Sequence, residues 1–477
     1  MVVKVGILGC GNVGSALVSL LQEQGDEIAK RSGFRLVPFR IAVRQLDKDR
    51  GVNLSKESFT TDPYSVVTDE EVDIVVELIG GIDPARDLIR EALNLGKPVV
   101  TANKELIATY GAELMQTAGK AGVDLLYEAA VGGAIPLVRI LKESLAGERI
   151  RRVVGIVNGT TNYILTRMSE EGIDYDEALL QAIAQGMAEA DPRADVEGYD
   201  AAAKAAILSS IAFGVNVVAK EVYREGITGV RAIDISFARN LGYEVKLLAI
   251  AELVPPLSAA NHAINPPEVF TEERVSQEEV AVRVHPAMLH RSHPLASVRG
   301  PFNAVFIEGA TAGEIMLYGR GAGGRPTASA VLGDLIDAAH NRQSGAVTRR
   351  VPTRVARVRD IGSLYCKYYL NVDVVDRPGV LAAVAGVFGE NNVSIRSMEQ
   401  LGLGDEARLV FLTHTAKEAD MIATVKALSE LSVVEKVGAL LRVLDPIDSS
   451  DPQGEPSYSD DTWTVPGSPR VHSGGTA

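Results

Sequence analysis

Cysteine is nearly absent: Cys10 and Cys366 are the only two in 477 residues, and they fall in different predicted domains. No disulfide framework and no clustered thiolate metal site can be built from them, and a reducing cytoplasm is the expected compartment. Long apolar runs are missing as well. None approaches the roughly 20 residues that a membrane span requires, so no membrane association is expected. Positive charge is in deficit, with 48 Lys and Arg against 62 Asp and Glu and a net charge of −14. That balance disfavours nucleic acid as a partner, because a phosphate backbone wants a basic surface. The single tryptophan, Trp463, lies in a stretch rich in Pro, Gly, Ser and Asp, residues 446–477. This tail carries too little apolar surface to offset its ordering entropy and is expected to be disordered. The opening MVVKVGILGC shows no basic leader or cleavage pattern and reads as a first strand.

What is present is enough apolar material for several cores, 46% hydrophobic against 23% charged residues. At roughly 100 to 200 residues per domain, two to four domains are expected. Residues 1–130 alternate short apolar runs (VKVGILG, LVPFRIAV, VDIVVELI, PVVTAN, DLLYEAAV) with helical patterns, the rhythm of βαβ units on a parallel sheet. The apolar run from Ile74 to Ile79 suits a strand covered by helices on both faces. Residues 131–318 read as a second α/β region, suited to substrate binding. Residues 319–345 bring a glycine loop and a helix expected to pack back on the first domain. A basic connector follows at 346–362, then a small βαβ-type unit at 363–445 and the tail at 446–477. The fold class is α/β throughout.

Between the first strand and the first helix lies GCGNVG, with Gly9, Gly11 and Gly14 enclosing Asn12 and Val13. In that context the pattern is a dinucleotide fingerprint rather than a bare turn. The first glycine makes the tight turn, the second lets the backbone approach the pyrophosphate, and the third allows close helix packing. After the second strand, Arg44 and Lys48 stand where an NAD-specific fold usually places an acid for the ribose. Cations there suit a 2′-phosphate and hence NADP, with NAD use left open; the alternative is a solvated basic patch.

Two further segments carry chemistry. VVTANKEL, residues 99–106, places Thr101, Asn103 and Lys104 at the carboxyl edge of the parallel sheet, where open α/β folds bind ligands. Lys104 there either holds charge beside cofactor and substrate or is an exposed lysine at a helix start. MAEADPRADVEGYDAAAKAAIL, residues 187–208, gathers Glu189, Asp191, Asp195, Glu197, Asp200 and Lys204 before and within an Ala-rich helix. Asp200 and Lys204 are four apart and share a helical face. The bland alternative is a surface ion pair worth little. The apolar residues that follow argue for a largely buried helix, where paired charges tend to mark a site. A positioned lysine can deliver the proton that carbonyl reduction requires, while a nicotinamide cofactor carries the hydride.

In this order GCGNVG, TANKEL, YEAAVGGAIPLV, VNGTTNYIL, AEADPRADVEGYDAAAK, ARNLGYEVKLLAIA, HPLASVRGPFNAVFIEG and GRGAGGRPTASAV resemble homoserine dehydrogenase over residues 1 to about 340. The resemblance implies a Rossmann-type nucleotide domain and reversible NAD(P)H-dependent reduction of L-aspartate 4-semialdehyde to L-homoserine, in threonine, methionine and isoleucine biosynthesis. It makes Lys204 the proton-transferring lysine, Asp200 its carboxylate partner and Lys104 the lysine between nicotinamide and substrate. Glu189, Asp195 and Thr160 become substrate residues. Thr101, Gly321 and Gly323 join the cofactor site. The YEAAVGGAIP loop implies a sodium or potassium site made by Glu128 and the backbone oxygens of Val131, Gly133 and Ile135. His285, His290 and His293 lack a ligand to complete a zinc set, and no transition metal is assigned.

The third unit resembles an ACT domain through VDVVDRPGVLAAVAGVFGENNVSI. This implies threonine as a feedback effector near Asp376, Gly379 and Asn391, or else a dimerisation module that binds nothing. A homodimer or homotetramer is the implied assembly, in the monofunctional form of the family. Gln45 stands where an acid often follows Arg44, which loosens the NADP assignment. The rival readings are a dehydrogenase of another amino-acid semialdehyde and a sensor that binds nucleotide and amino acid without turnover.

Overall fold

A computed structural model describes residues 1–254, 279–348, 354–355, 357–402 and 406–444 of the chain. The expected disordered tail therefore lies outside the described residues, as does part of the 346–362 connector.

The first body is a six-stranded sheet of β1 (Val2–Leu8), β2 (Arg35–Ala42), β3 (Phe59–Thr60), β4 (Ile74–Glu77), β5 (Val99–Thr101) and β6 (Leu125–Leu126). Its order is β3-β2-β1-β4-β5-β6 and every pairing is parallel. This is the doubly wound Rossmann arrangement, whose strand order reverses beside β1. Helices α1 (Asn12–Glu23), α2 (Gly25–Ser32), α3 (Pro63–Thr68), α4 (Ala85–Asn94) and α5 (Lys104–Ala121) connect the strands. With both faces covered, Val5, Ile7, Ile74, Val75 and Val76 are fully buried.

The chain leaves this sheet through a short helix, α6 (Leu137–Arg139), and builds a second one. Strand β7 (Ile150–Ile156) leads into α7 (Gly159–Glu171), α8 (Tyr175–Ala184), the short α9 (Arg193–Val196) and α10 (Tyr199–Phe213). Alanine, the best helix former, fills five of the positions between Ala201 and Ala206, and its small side chain lets α10 sink into the core. Short strands β8 (Val215–Asn216) and β9 (Tyr223–Arg224) precede α11 (Ala232–Asn240), β10 (Tyr243–Val254), β11 (Glu279–His290), β12 (Phe302–Gly309) and β13 (Gly313–Arg320). The pairings of β7, β10, β11, β12 and β13 in the order β13-β12-β7-β10-β11 are antiparallel. Helix α12 (Gly324–Ser344) returns to the first body, where Ala328, Val331 and Leu335 join the core of Leu17, Val18 and Leu21 from α1.

After β14 (Arg354–Val355), which pairs with β8, the last unit runs β15 (Tyr365–Val375), α13 (Val380–Glu390), β16 (Ile395–Gly402), β17 (Glu406–Thr413), β18 (Ala416–Lys417), α14 (Glu418–Glu430) and β19 (Val434–Leu444). The sequence pattern shows only its first βαβ half; the structure completes a βαββαβ unit. The unit is also not a separate bead. Residues Arg442–Leu444 of β19 pair in parallel with Ala287–Leu289 of β11, so one sheet of eleven strands spans both regions.

Candidate active site

The nucleotide cradle follows from three glycines in three different situations. A β-carbon at Gly9 (φ +99°) would stand 2.7 Å from the Leu78 carbonyl oxygen, and one at Gly14 would stand 2.3 Å from that of Gly9. Both positions therefore demand glycine. At Gly11 nothing lies within 4 Å of where a β-carbon would be. Helix α1 starts beside this opening with no side-chain cap and no acid in its first turn. Free amides, a favourable dipole and an open approach fit a dinucleotide pyrophosphate. Asn12 is exposed and Val13 half-buried on the rim. From the far side Gly324 presses on Asn12, where a β-carbon would meet its carbonyl oxygen at 2.8 Å, and Arg325 binds Glu23 at 2.8 Å. Arg44 and Lys48 are exposed beyond β2, and Arg50 pins their loop by donating to the carbonyls of Gln45 and Lys48.

Two lysines stand on one carboxylate. Asp200, in the first turn of α10, holds Lys204 at 2.7 Å on Oδ2 and pairs through Oδ1 with Lys104 at the start of α5. The latter pair joins the two bodies. Lys204 also donates to the Val157 carbonyl at 2.6 Å, and Asn303 donates to the same oxygen at 3.0 Å. Asn158 caps α7 by accepting from the Thr161 amide, while its Nδ2 donates to Asp195 (2.6 Å) and Asp200 (2.9 Å). Thr160 donates to the Met187 carbonyl at 2.9 Å. Glu189 is exposed on the turn that follows and stands outside this hydrogen-bonded cluster.

Electrostatics separates the members. Burial works to raise the Asp200 carboxyl, but the two ammonium groups outweigh it and hold it well below the usual range. Burial pulls Lys204 down against the attraction of Asp200, whereas half-exposed Lys104 is raised, burial opposing and Asp200 prevailing. The two lysines on one carboxylate thus shift in opposite directions because only Lys204 is shut away from water. Burial raises Asp195, with Asn158 opposing. A lysine brought down from its ordinary value and fixed by a charged partner is suited to exchange a proton with a carbonyl oxygen.

Models of known families match the chain along its length: "Homoserine dehydrogenase, NAD binding domain" at residues 9–128, "Homoserine dehydrogenase" at 136–336 and "ACT domain" at 368–433. The homoserine dehydrogenase of Mycobacterium tuberculosis H37Rv is 49% identical over 449 residues, covering 92% of this chain and 97% of that protein. The crystal structure of the Thiobacillus denitrificans homoserine dehydrogenase shares 36% identity, with a TM-score of 0.83 over 93% of this chain and 99% of that one. The chain belongs to the homoserine dehydrogenase family. It is an NAD(P)-dependent oxidoreductase with a carboxyl-terminal ACT domain. A hyperthermophilic archaeal homoserine dehydrogenase in complex with NADPH matches with 31% identity and a TM-score of 0.58, covering 72% of this chain and 98% of that one.

Gly321 lies between the two halves of the site: a β-carbon on it would collide with the Asn303 amide at 1.9 Å, and one on Gly133 would meet the Gly321 carbonyl at 2.5 Å. Gly323 (φ +123°) caps the start of α12. The expected cation loop therefore touches the second glycine loop directly, and the Ala134 amide donates to the Arg320 carbonyl at 3.1 Å. Within the cation loop the buried Glu128 carboxylate accepts from the amides of Val138 and Arg139 at 2.8 and 2.9 Å, and the Ile135 carbonyl accepts from Leu137. Val131 is fully buried beside them. Among the described residues no cluster of three or more His, Cys, Asp and Glu is spaced for a metal. His285 is a core residue and His293 caps a short turn through the Leu295 amide.

In the ACT domain Asp376 is exposed and Gly379 caps the start of α13, while Asn391 caps its far end and donates to the Val387 carbonyl. Eleven helical residues, about 16 Å at 1.5 Å each, separate them, so one copy of the chain does not bring the three together.

Sequence reasoning passed over three residues. Glu77 hides in the apolar run Ile74–Ile79, fully buried; it accepts from the Thr101 hydroxyl at 2.6 Å and from the amides of Ile79 and Gly80 at 2.7 and 3.0 Å. Thr101 in turn accepts from the Asn103 amide, so its hydroxyl is spent on shaping the turn that presents Lys104. A charged residue in a strand otherwise buried on both faces was the available signal. Asn158 and Asn303 gave none, since an asparagine beside a glycine or in a strand is ordinary.

Proposed function

We propose that this chain catalyses the reversible NADP(H)-linked interconversion of L-aspartate 4-semialdehyde and L-homoserine, on the route to threonine, methionine and isoleucine. The observation that carries this reading is the single Asp200 carboxylate that bears Lys204 from its own helix and Lys104 from the nucleotide body. The bound nicotinamide supplies or accepts the hydride. Lys204 gives a proton to the carbonyl oxygen during reduction and takes it from the hydroxyl during oxidation, while Asp200 fixes the ammonium and Lys104 holds charge where the two bodies meet. Glu189 and Asp195 bind the substrate ammonium, with Thr160 beside them. Gly9, Gly11, Asn12, Val13, Gly14, Thr101, Gly321 and Gly323 form the cofactor cradle, and Arg44 with Lys48 favours a 2′-phosphate. A sodium or potassium ion at Glu128, Val131, Gly133 and Ile135 would brace the Gly321 loop. The free cysteines Cys10 and Cys366 suit a cytoplasmic enzyme.

Threonine is the proposed feedback effector. Because α13 separates Asp376 and Gly379 from Asn391, a complete effector site takes these residues from two paired ACT domains, in keeping with a homodimer or homotetramer. The deciding assay follows reduced-nicotinamide absorbance while the protein meets L-homoserine with NADP or NAD, in sodium, potassium or neither, and then threonine. Reduced cofactor that appears with homoserine and slows with threonine supports the whole reading. No signal in either direction, with the semialdehyde and NADPH included, would favour a sensor without turnover.

A further inference from the structure

We infer that Arg442, on the last strand of the ACT domain, is a positioning residue for the catalytic carboxylates and acts through Glu225. Arg442 is only 1% exposed. On one side its Nε donates to Glu418 of α14 at 2.9 Å, and Glu418 also accepts from the Tyr368 hydroxyl at 2.8 Å, both within the ACT domain. On the other side its guanidinium forks onto Glu225 of the substrate region, Nη1 to Oε2 at 2.7 Å and Nη2 to Oε1 at 2.9 Å. A two-pronged pair of this kind fixes orientation as well as distance.

The segment that carries Glu225 is the floor of the catalytic turn. Its amide is tied to β11 through the Val284 carbonyl at 2.7 Å, and the Ile227 amide donates to the Val196 carbonyl at 2.8 Å. Gly226 packs so closely that a β-carbon there would lie 2.2 Å from the Val196 carbonyl oxygen and 2.6 Å from the Glu197 Cα. Arg224 donates to the Glu197 carbonyl at 3.1 Å and lies 3.4 Å over the Tyr199 ring. Val196, Glu197 and Tyr199 sit between Asp195 and Asp200. A shift of Glu225 is thereby passed through these direct contacts to the two carboxylates that Asn158 joins. Misplacement of reacting groups by about 1 Å can cost on the order of a hundredfold in rate. The nucleotide cradle, on the other sheet, lies outside this path.

The inference rests on the proposed role of Asp195, Asp200 and Lys204, and the experiment keeps the two apart. In the full chain, Arg442→Met, Glu225→Gln, their double variant, Arg442→Lys and Lys204→Ala are compared for kcat, for the KM of homoserine and of cofactor, and for Tm. Arg442→Met and Glu225→Gln are each expected to lower kcat/KM for homoserine about tenfold or more, with the cofactor KM within about twofold. The double variant should be no worse than the poorer single one, because both cut the same link. Arg442→Lys, which keeps the charge without the fork, should recover part of the loss. If Arg442→Met does not fold, Glu225→Gln carries the test, since it leaves Arg442 and Glu418 in place. Changes in Tm with homoserine kcat/KM unmoved, or losses that multiply in the double variant, would overturn the inference. Full turnover by Lys204→Ala would instead overturn the catalytic reading beneath it.

Discussion

The Lys204 ammonium lies 2.7 Å from the Asp200 carboxylate one helical turn before it, and both side chains are buried. An ion pair in that setting is not a surface ornament; desolvating both charges is costly unless further partners satisfy them. Here Val157, Asn158 and Lys104 do so. Lys204→Ala is expected to leave NADP binding nearly intact and to reduce turnover by about a hundred- to ten-thousandfold, the range for a general acid or base. Cofactor titration by fluorescence beside steady-state rates separates the two effects, and retention of full activity would refute the proton-transfer role.

The direction of the Lys204 shift sets a pH profile. If Lys204 transfers the proton as proposed, oxidation of homoserine needs its unprotonated amine, so kcat/KM should rise with pH and level off below 10.5, the ordinary lysine value from which burial lowers this group. Reduction needs the ammonium and should fall over the same interval. Asp200 favours the charged form, so Asp200→Asn should move the rising limb to lower pH. A limb that stays put or moves upward would sink the assignment.

Glu77→Gln tests the strand edge behind Lys104. The new amide would point a donor at Thr101, whose hydroxyl now donates to Glu77 and accepts from Asn103. A buried donor left facing a donor costs about 1–3 kcal/mol. Denaturant unfolding should show a loss of that order, accompanied by a lower kcat; an unchanged midpoint would count against the network.

Gly11 and Gly14 should fail differently. Open space surrounds the missing β-carbon of Gly11, so Gly11→Ala should leave Tm nearly unchanged while weakening NADPH binding about tenfold or more, through contact with the pyrophosphate. Gly14→Ala drives a methyl to 2.3 Å from the Gly9 carbonyl and should destabilise the fold even without cofactor. Equal losses of stability in both variants would contradict an open cradle.

Lys246 is buried, donating to Val298 and Asn162, and burial brings its pKa down to about 8. Its folded value lies below its unfolded value of 10.5, so between about pH 8 and 10.5 the unfolded chain binds the extra proton and stability from this group rises with pH. The unfolding free energy of wild type relative to Lys246→Met should grow across that window by roughly 3 kcal/mol. A flat difference in parallel urea titrations would remove the basis for the shift.

The residues themselves determined what depends on near neighbours. GCGNVG between a strand and a helix, the alternation of βα units and the four-residue spacing of Asp200 and Lys204 are local patterns, and local patterns carry turn geometry and helical faces. Tertiary structure alone decided that Lys104 reaches Asp200 from another body, that Asn158 joins two carboxylates 37 and 42 residues away, and that Gly321 rests on Gly133 and Asn303. It also decided that the last unit continues the second sheet by pairing β19 with β11, and that Arg442 meets Glu225, residues 217 apart. Periodicity says which face of an element is apolar but not which distant element will cover it. A buried charge says that it must have a partner, and only the packed fold supplies which one.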